Sequence, residues 1–109
     1  MLYLRQFRMK LILDDTRPFP EGKGYNCVRT YEDCVFLLSV FKKLSFVSLD
    51  YNLGEEKTGY DVLVYMYENK IEAEHINIHS DHERGKPRMI KYAKEHFPDS
   101  KVTSAPLKA

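Results

Sequence analysis

Residues 45–54 read SFVSLDYNLG, a short apolar segment that ends abruptly in a carboxylate, a polar residue and a glycine. This pattern is typical of a buried strand of a parallel sheet that delivers Asp50 to its carboxyl end. Similar segments occur at residues 9–15 and 76–80. Ligands of open parallel α/β sheets bind outside the carboxyl ends of the strands. We therefore expect the polar residues that end the three segments to converge on one place: Asp14, Asp15, Asp50, His79 and Ser80.

The composition predicts one globular domain without a dominant charge. The chain has 109 residues, with 17 Lys and Arg against 16 Asp and Glu and a formal charge of +1. Such a balance provides no global basic field, so we expect no broad nucleic-acid surface. We expect a single domain over residues 1–109, with a core at about 9–105 and an extension before Met9.

The cysteines and the apolar segments indicate in which cellular compartment the protein is expected. Cys27 and Cys34 are the two cysteines, and neither a CxxC spacing nor flanking zinc ligands accompany them. This usage favours reduced thiols in a cytoplasmic protein. The first eight residues lack the pattern of a signal peptide, and no stretch approaches the ~20 apolar residues of a membrane span. We therefore expect a cytoplasmic protein without a membrane partner.

Strands and helices alternate along the chain. Residues 16–24 contain two prolines and two glycines, which predicts a loop after the first strand. Thr-x-x-Asp patterns at 30–33 and 58–61 predict two helix starts, and Pro87 predicts a third. Strands are expected at residues 9–15, 25–29, 45–50, 75–80 and 101–104. This order predicts a small doubly wound α/β sheet.

The acidic residues suggest a metal site. Carboxylates at the ends of adjacent strands repel one another unless a cation lies among them, and Mg²⁺ prefers such oxygen ligands. Consecutive strand side chains point to opposite faces, so Asp14 and Asp15 share a site only where the strand breaks. We expect Asp15 and Asp50 as direct ligands of Mg²⁺ or Mn²⁺, Asp14 acting through water, and Asn52 completing the set. The alternative is that Asp15 only starts the following turn.

Other polar residues suggest phosphate chemistry. His79 could act as a general acid or base and Ser80 could donate its hydroxyl, although a strand-end histidine can equally be a structural one. Arg84 and Arg88 flank the start of the last predicted helix, where an anion would be favoured, and Arg17 follows the acidic pair. Their alternative role is that of solvated surface charges.

Several motifs together resemble the cyclic-phosphate processing receiver-like family, a divergent branch of the response-regulator receiver fold. They are LILDDTRP at 11–18, LDYNLG at 49–54, TGYDVL at 58–63 and IHS at 78–80. The resemblance implies a flavodoxin-like sheet of order 2-1-3-4-5 and a metal-dependent acidic pocket. It also implies a role on cyclic or terminal phosphates of nucleotides or RNA ends. In this chain a loop replaces the helix that normally follows the first strand.

The resemblance assigns roles residue by residue. Asp14 and Asp15 match the acidic pair of the family, Asp50 the strand-end aspartate, Gly54 the glycine after it, and His79 with Ser80 the later pair. The family usually has His and then Asp after the central aspartate, whereas this chain has Tyr51 and Asn52.

The sequence leaves three functions open. The leading hypothesis is a magnesium-dependent cyclic phosphodiesterase or phosphohydrolase. The second is a regulatory or ligand-binding module without turnover. The third is a phosphoaccepting receiver with Asp50 as the acceptor, although Ala105 precedes Pro106 where such receivers carry a lysine. The expected partner is a phosphorylated small molecule, a nucleotide or an RNA end, and a patch of Phe19, Tyr25 and the N-terminal residues could pair two chains.

Overall fold

The computed structural model describes residues 9–19 and 22–107. Its elements are, in chain order, β1 (Met9–Leu13), β2 (Asn26–Val28), α1 (Tyr31–Val40), β3 (Lys43–Leu49), α2 (Gly59–Glu68), β4 (Glu72–Ile78), α3 (Gly85–His96) and β5 (Lys101–Thr103). The expected extension before Met9, and with it part of the predicted pairing patch, lies outside the described residues. None of the helices in the described ranges is long and apolar enough to cross a bilayer.

The five strands form one parallel sheet of order β2-β1-β3-β4-β5. This order confirms the predicted receiver-like α/β class with strand order 2-1-3-4-5. As predicted, the described residues between β1 and β2 form a loop rather than a helix.

All three helices cover the same face of the sheet. Their crossovers run from β2 to β3, from β3 to β4 and from β4 to β5, which is one direction across the sheet, and right-handed crossovers in one direction place helices on one side. Accordingly, α1 contacts α2 and α2 contacts α3. Strand residues of this face pack with helix residues in one buried core; they include Leu11, Leu13, Val47, Leu49, Ile76 and Ile78. The opposite face is covered by none of the helices within residues 9–19 and 22–107, and we call it the helix-free face. It carries Lys10, Ile12, Phe46, Ser48, His75 and Asn77.

The predicted caps start two of the helices. The Thr30 hydroxyl accepts the Asp33 N–H at 3.1 Å before α1. Before α2, the Asp61 carboxylate accepts the Thr58 N–H at 2.8 Å. These bonds satisfy N–H groups that the first turn of a helix leaves without a partner. Pro87 lies in the first turn of α3, as expected.

Some predicted boundaries were wrong. β3 begins at Lys43 and β4 at Glu72, both earlier than expected. The two residues are paired in the sheet, and their side-chain charges lie 3.9 Å apart. Charged residues of this kind interrupt an apolar run without interrupting backbone pairing. β4 also ends at Ile78, so His79 and Ser80 follow the strand.

Candidate functional site

Three polar residues meet at the carboxyl edge of the sheet. Asp14 follows β1, Asp50 follows β3 and His79 follows β4, and these strands are neighbours. One ligand atom of each lies within 4.8 Å of those of the other two. The three residues are buried, with exposed fractions of 0%, 8% and 3%. We call this group the acidic site.

Asp14 is held by several hydrogen-bond donors. Its Oδ1 accepts the N–H groups of Thr16 at 3.0 Å and Arg17 at 2.8 Å, and its Oδ2 accepts Nε2–H of His79 at 2.9 Å. Burial alone would raise the pKa of Asp14, but these donors together lower it below its usual range. Asp14 is therefore an ionised carboxylate that organises the loop after β1 and the imidazole.

Hydrogen bonds on both ring nitrogens determine the tautomer of His79. Its Nδ1 lies 2.7 Å from the Ser48 hydroxyl, and this oxygen accepts an N–H from Asn77 at 3.0 Å. The Ser48 hydrogen is thus directed to Nδ1, so the ring proton is on Nε2 and points at Asp14. Burial lowers the pKa of His79 more than Asp14 raises it, which favours the neutral imidazole.

Ser48, His79 and Asp14 form a Ser–His–Asp chain, but with the two ring nitrogens exchanged relative to a hydrolase triad, since Nδ1 faces Ser48 and Nε2 faces Asp14. They do not form a catalytic triad. Ser48 is fully buried, and its oxygen is bound by Asn77 within the sheet. A nucleophile must reach the reacting carbon or phosphorus atom. Ser48 therefore orients His79 and supplies no nucleophile.

Asp50 is less well compensated than Asp14. Burial and the nearby charge of Asp14 raise its pKa, and hydrogen bonds from the Ser80 hydroxyl and the Tyr51 N–H oppose this rise only in part. The Tyr51 N–H donates to Oδ1 at 2.8 Å. A Cβ atom on Gly59 would lie 1.9 Å from the Asp50 carbonyl oxygen, so the start of α2 packs directly on this residue. Of the two buried carboxylates, Asp50 is the one whose negative charge a bound cation would stabilise more.

The remaining predicted metal ligands lie in the flanking loops. Asp15 is not a member of the buried group and is half-buried. A Cβ atom on Gly54 would lie 3.1 Å from its Oδ2. Asn52 is exposed, and its side-chain oxygen accepts the Gly54 N–H at 3.0 Å. Asn52 therefore stabilises the turn after β3.

The predicted phosphate-binding arginines occupy different places. Arg17 donates to the carbonyl oxygen of His79 at 2.9 Å and also bonds the Asp81 carboxylate. Arg84 and Arg88 are exposed at the start of α3. The guanidinium group of Arg88 lies 4.8 Å from the ring centre of Tyr60. Arg17 also lies 3.4 Å from the Asp14 carboxylate, and Arg29 donates to the Asp14 carbonyl oxygen at 3.2 Å, so both of these arginines contact the acidic site.

Sequence reasoning missed a chain of buried and half-buried polar side chains behind the site. The Asn77 side-chain oxygen accepts the Thr103 hydroxyl at 2.6 Å and the Ala105 N–H at 2.8 Å. The Thr103 oxygen in turn lies 2.7 Å from Nε2 of His75. With Ser48 and His79, these residues link β5 to Asp14. A polar residue inside an apolar strand was the available signal, because Ser48, Asn77 and Thr103 lie side by side in the sheet.

The loop after β4 also contributes a residue that sequence reasoning assigned no role. The ring of His82 lies 4.4 Å from that of Tyr51, centre to centre, and its Nδ1 accepts the Gly85 N–H at 2.8 Å. A Cβ atom on Gly85 would lie 2.3 Å from the Tyr51 ring. Tyr51 thus packs on the start of α3.

Comparison with known proteins bears on the same residues. The sequence model of the cyclic-phosphate processing receiver domain matches residues 9–95. The match includes β1 to β4 and every residue of the acidic site. No curated protein and no solved structure matches the chain significantly. Since the family match covers most of the chain and includes the acidic site, the chain belongs to the family of cyclic-phosphate processing receiver domains.

Proposed function

We propose that the domain is a metal-dependent enzyme that acts on cyclic or terminal phosphates of nucleotides or RNA ends. The observation that carries this proposal is the buried pairing of Asp50 with Asp14 beside a neutral histidine. A carboxylate whose pKa is raised by burial and a like charge is typical of a functional site. Membership of the family supports phosphate as the reacting group.

The acidic site fits a hard divalent cation such as Mg²⁺ or Mn²⁺. Two buried carboxylates lie within reach of one ion, and a cation would relieve the repulsion that raises the pKa of Asp50. Nε2 of His79 carries a proton directed at Asp14, so the available ligands are oxygens, as Mg²⁺ prefers. Asp50 and Asp14 would hold the ion, with Asp15 on the adjacent loop as a further ligand. The ion would stabilise the negative charge that develops on phosphate oxygens.

The protein groups suit the opening of a cyclic phosphate by water. The water oxygen bonds to phosphorus, the bond from phosphorus to one ribose oxygen breaks, and the Asp50 carboxylate takes a proton from the attacking water. The leaving ribose oxygen takes a proton from solvent and Asp50 returns its proton to solvent, so that the site ends as it began. His79 keeps its Nε2 proton and positions Asp14. Ser48 holds the ring, and Arg17, bound beside His79, offsets charge on the phosphate.

The test is turnover of 2′,3′-cyclic nucleotides with Mg²⁺ or Mn²⁺, followed by chromatography. Wild type should open the ring, and removal of the metal with a chelator should stop it. Asp50→Asn should lower the rate by roughly 10²–10⁴-fold, the usual contribution of a general acid or base, and should abolish the metal dependence. His79→Ala should also lower the rate, because it removes the donor that positions Asp14. Asp99→Asn is the matched control, because Asp99 is exposed and follows α3. Absence of turnover with both metals, or equal rates in all variants, would contradict the proposal.

The contact between Ser80 and Asp50 favours a second candidate function. A hydroxyl beside the acceptor aspartate is what a phosphoaccepting receiver uses as its switch. In that case acetyl phosphate would add a phosphoryl group to wild type but not to Asp50→Asn, as seen by mass spectrometry. Ligand-dependent stabilisation with neither turnover nor modification would instead identify a regulatory module.

A further inference from the structure

The helix-free face carries a row of residues with an unusual composition. Lys10 of β1 pairs with Phe46 of β3, Phe46 pairs with His75 of β4, and His75 pairs with Lys101 of β5. Neighbouring strands are about 4.8 Å apart, so the row spans roughly 14 Å. Two rings thus lie side by side between two lysines.

The three rings contact one another, and the Phe46 ring is inclined by 59° to that of Tyr25 and by 79° to that of His75. The Phe46 ring centre is 5.0 Å from that of His75 and 5.7 Å from that of Tyr25, and the Lys10 ammonium lies 5.6 Å from the Tyr25 ring centre. The three rings are half-buried, whereas Lys10 and Lys101 are exposed. We call these five residues the aromatic row.

An open cleft of about 430 Å³ adjoins the aromatic row. Lys23 lies at its border, Asn77 and Thr103 contribute polar groups, and no acidic residue of the described chain lines it. His75 donates Nε2–H to Thr103, which leaves Nδ1 of the neutral ring as an acceptor. The cleft therefore combines π-faces, a hydrogen-bond acceptor and positive charge.

We propose that the aromatic row binds the bases of a short single-stranded RNA. Rings on a sheet surface stack with bases, and flanking lysines bind the phosphates between them. An acidic peptide would contact the lysines alone, and an apolar peptide would contact the rings alone. A nucleotide strand contacts both at this spacing. The row accommodates one or two bases. So short a site needs no excess of positive charge over the whole chain, which agrees with the formal charge of +1.

The choice of RNA rests on the proposed function, because the aromatic row and the acidic site lie on the same strands. Phe46 precedes Asp50 by four residues and His75 precedes His79 by four, which is about 13 Å along a strand. An RNA whose end lies at the acidic site could therefore place one of its upstream bases on the aromatic row. The row would then select oligonucleotide ends over mononucleotides.

The test is the fluorescence anisotropy of a labelled hexaribonucleotide with a 3′ hydroxyl end, titrated with the full chain at low salt. Stacking contributes about 1–3 kcal/mol per base, so Phe46→Ala should weaken binding by roughly 5- to 150-fold. Phe36→Ala is the matched control, because Phe36 is 66% exposed on α1. Equal affinity of wild type and Phe46→Ala, or no binding by wild type, would overturn the proposal.

A second variant guards against a folding defect in Phe46→Ala. Lys10→Gln combined with Lys101→Gln changes exposed side chains only, and it should lower the slope of log affinity against log salt by roughly 0.7 for each phosphate that the lysines neutralise. An unchanged slope contradicts the assignment of the lysines. Loss of a self-associated species in Phe46→Ala, without RNA binding by wild type, would show that the face pairs two chains instead.

Turnover of a cyclic mononucleotide separates this inference from the proposed function. If Phe46→Ala weakens oligonucleotide binding and wild type shows no turnover, RNA binding by the aromatic row is supported and the proposed enzymatic function is refuted. If both proteins turn over the cyclic nucleotide and bind the oligonucleotide equally well, the enzymatic function is supported and RNA binding by the aromatic row is refuted.

Discussion

Asp14 and Asp50 lie in one buried site, yet their pKa values move in opposite directions. Backbone N–H groups and His79 lower the pKa of Asp14 against the effect of burial, whereas burial and the charge of Asp14 raise that of Asp50. Such divergence is how one site provides carboxylates for two tasks. Asp14 stabilises the fold, and Asp50 is available to a ligand at a cost in stability.

Asp50→Asn should therefore stabilise the metal-free protein at pH 7. The pKa of Asp50 is about 3.9 in the unfolded state and higher in the folded state. The folded state therefore holds the Asp50 proton more tightly than the unfolded state does. Its ionisation thus opposes folding, and the stability it contributes falls as pH rises through the folded pKa. Urea unfolding in a chelating buffer should show a higher midpoint for the variant at pH 7, and the difference should vanish below about pH 3.9. A lower midpoint at pH 7 would show that Asp50 is already compensated.

Asp14→Ala should have the opposite effect. The substitution leaves two backbone N–H groups and Nε2–H of His79 without their acceptor, which should cost about 2–3 kcal/mol. Because the folded pKa of Asp14 is lowered, this stabilisation is present above about pH 3.9 and is lost as pH falls through the folded value. Urea unfolding at pH 7 measures the loss, and a change below about 0.5 kcal/mol would contradict the role assigned to Asp14.

At the scale of elements, the start of α2 positions Asp50. In most helices Ala is about 1 kcal/mol more favourable than Gly. At Gly59 the order should reverse, because a Cβ atom would lie 1.9 Å from the Asp50 carbonyl oxygen. We expect Gly59→Ala to destabilise the protein by about 1–3 kcal/mol, measured by urea unfolding. Lys94→Ala, at an exposed position of α3, is the control, and a stabilised Gly59→Ala protein would refute the close contact.

Helix α1 has apolar residues on both sides, and only one side should matter for stability. Leu38 is fully buried, whereas Val40 is 56% exposed. Leu38→Ala should cost about 2–5 kcal/mol, and Val40→Ala should change the free energy of unfolding by less than about 0.5 kcal/mol. Thermal unfolding of the two variants compares them directly. Similar losses in both would show that the outer side of α1 is covered in solution.

At the scale of the whole molecule, the buried His79 and the half-buried His75 make stability depend on pH. Burial and the charge of Lys101 lower the pKa of His75, and burial lowers that of His79. Below an unfolded pKa of about 6.5, the unfolded state binds more protons, so stability falls as pH decreases towards the folded values. Both histidines thus act in the same direction.

His75→Gln should isolate the contribution of one histidine, since Gln can still donate to Thr103. Between pH 7 and pH 5, the stability of wild type should fall more steeply than that of the variant, by at most about 1.4 kcal/mol per pH unit. Urea unfolding at several pH values tests this. Parallel curves would mean that His75 titrates normally in the folded state.

Much of the fold could be predicted because it depends on local patterns. The Thr-x-x-Asp caps began α1 and α2 because they satisfy backbone groups within one turn. The apolar segments located the central strands, but missed their amino ends at Lys43 and Glu72, where charged residues pair across the sheet. Asp14, Asp50 and His79 were identified as candidates because each directly follows a strand.

The sequence by itself determined the alternation of strands and helices, the loop after β1 and the polar residues at the strand ends. These features rest on side-chain periodicity and on turn chemistry, which act over a few residues. Only the tertiary structure decided the tautomer of His79, the opposite states of Asp14 and Asp50, and the aromatic row of the helix-free face. The physical reason is that these properties depend on which residues of different strands lie side by side, and so on the register and crossovers of the sheet.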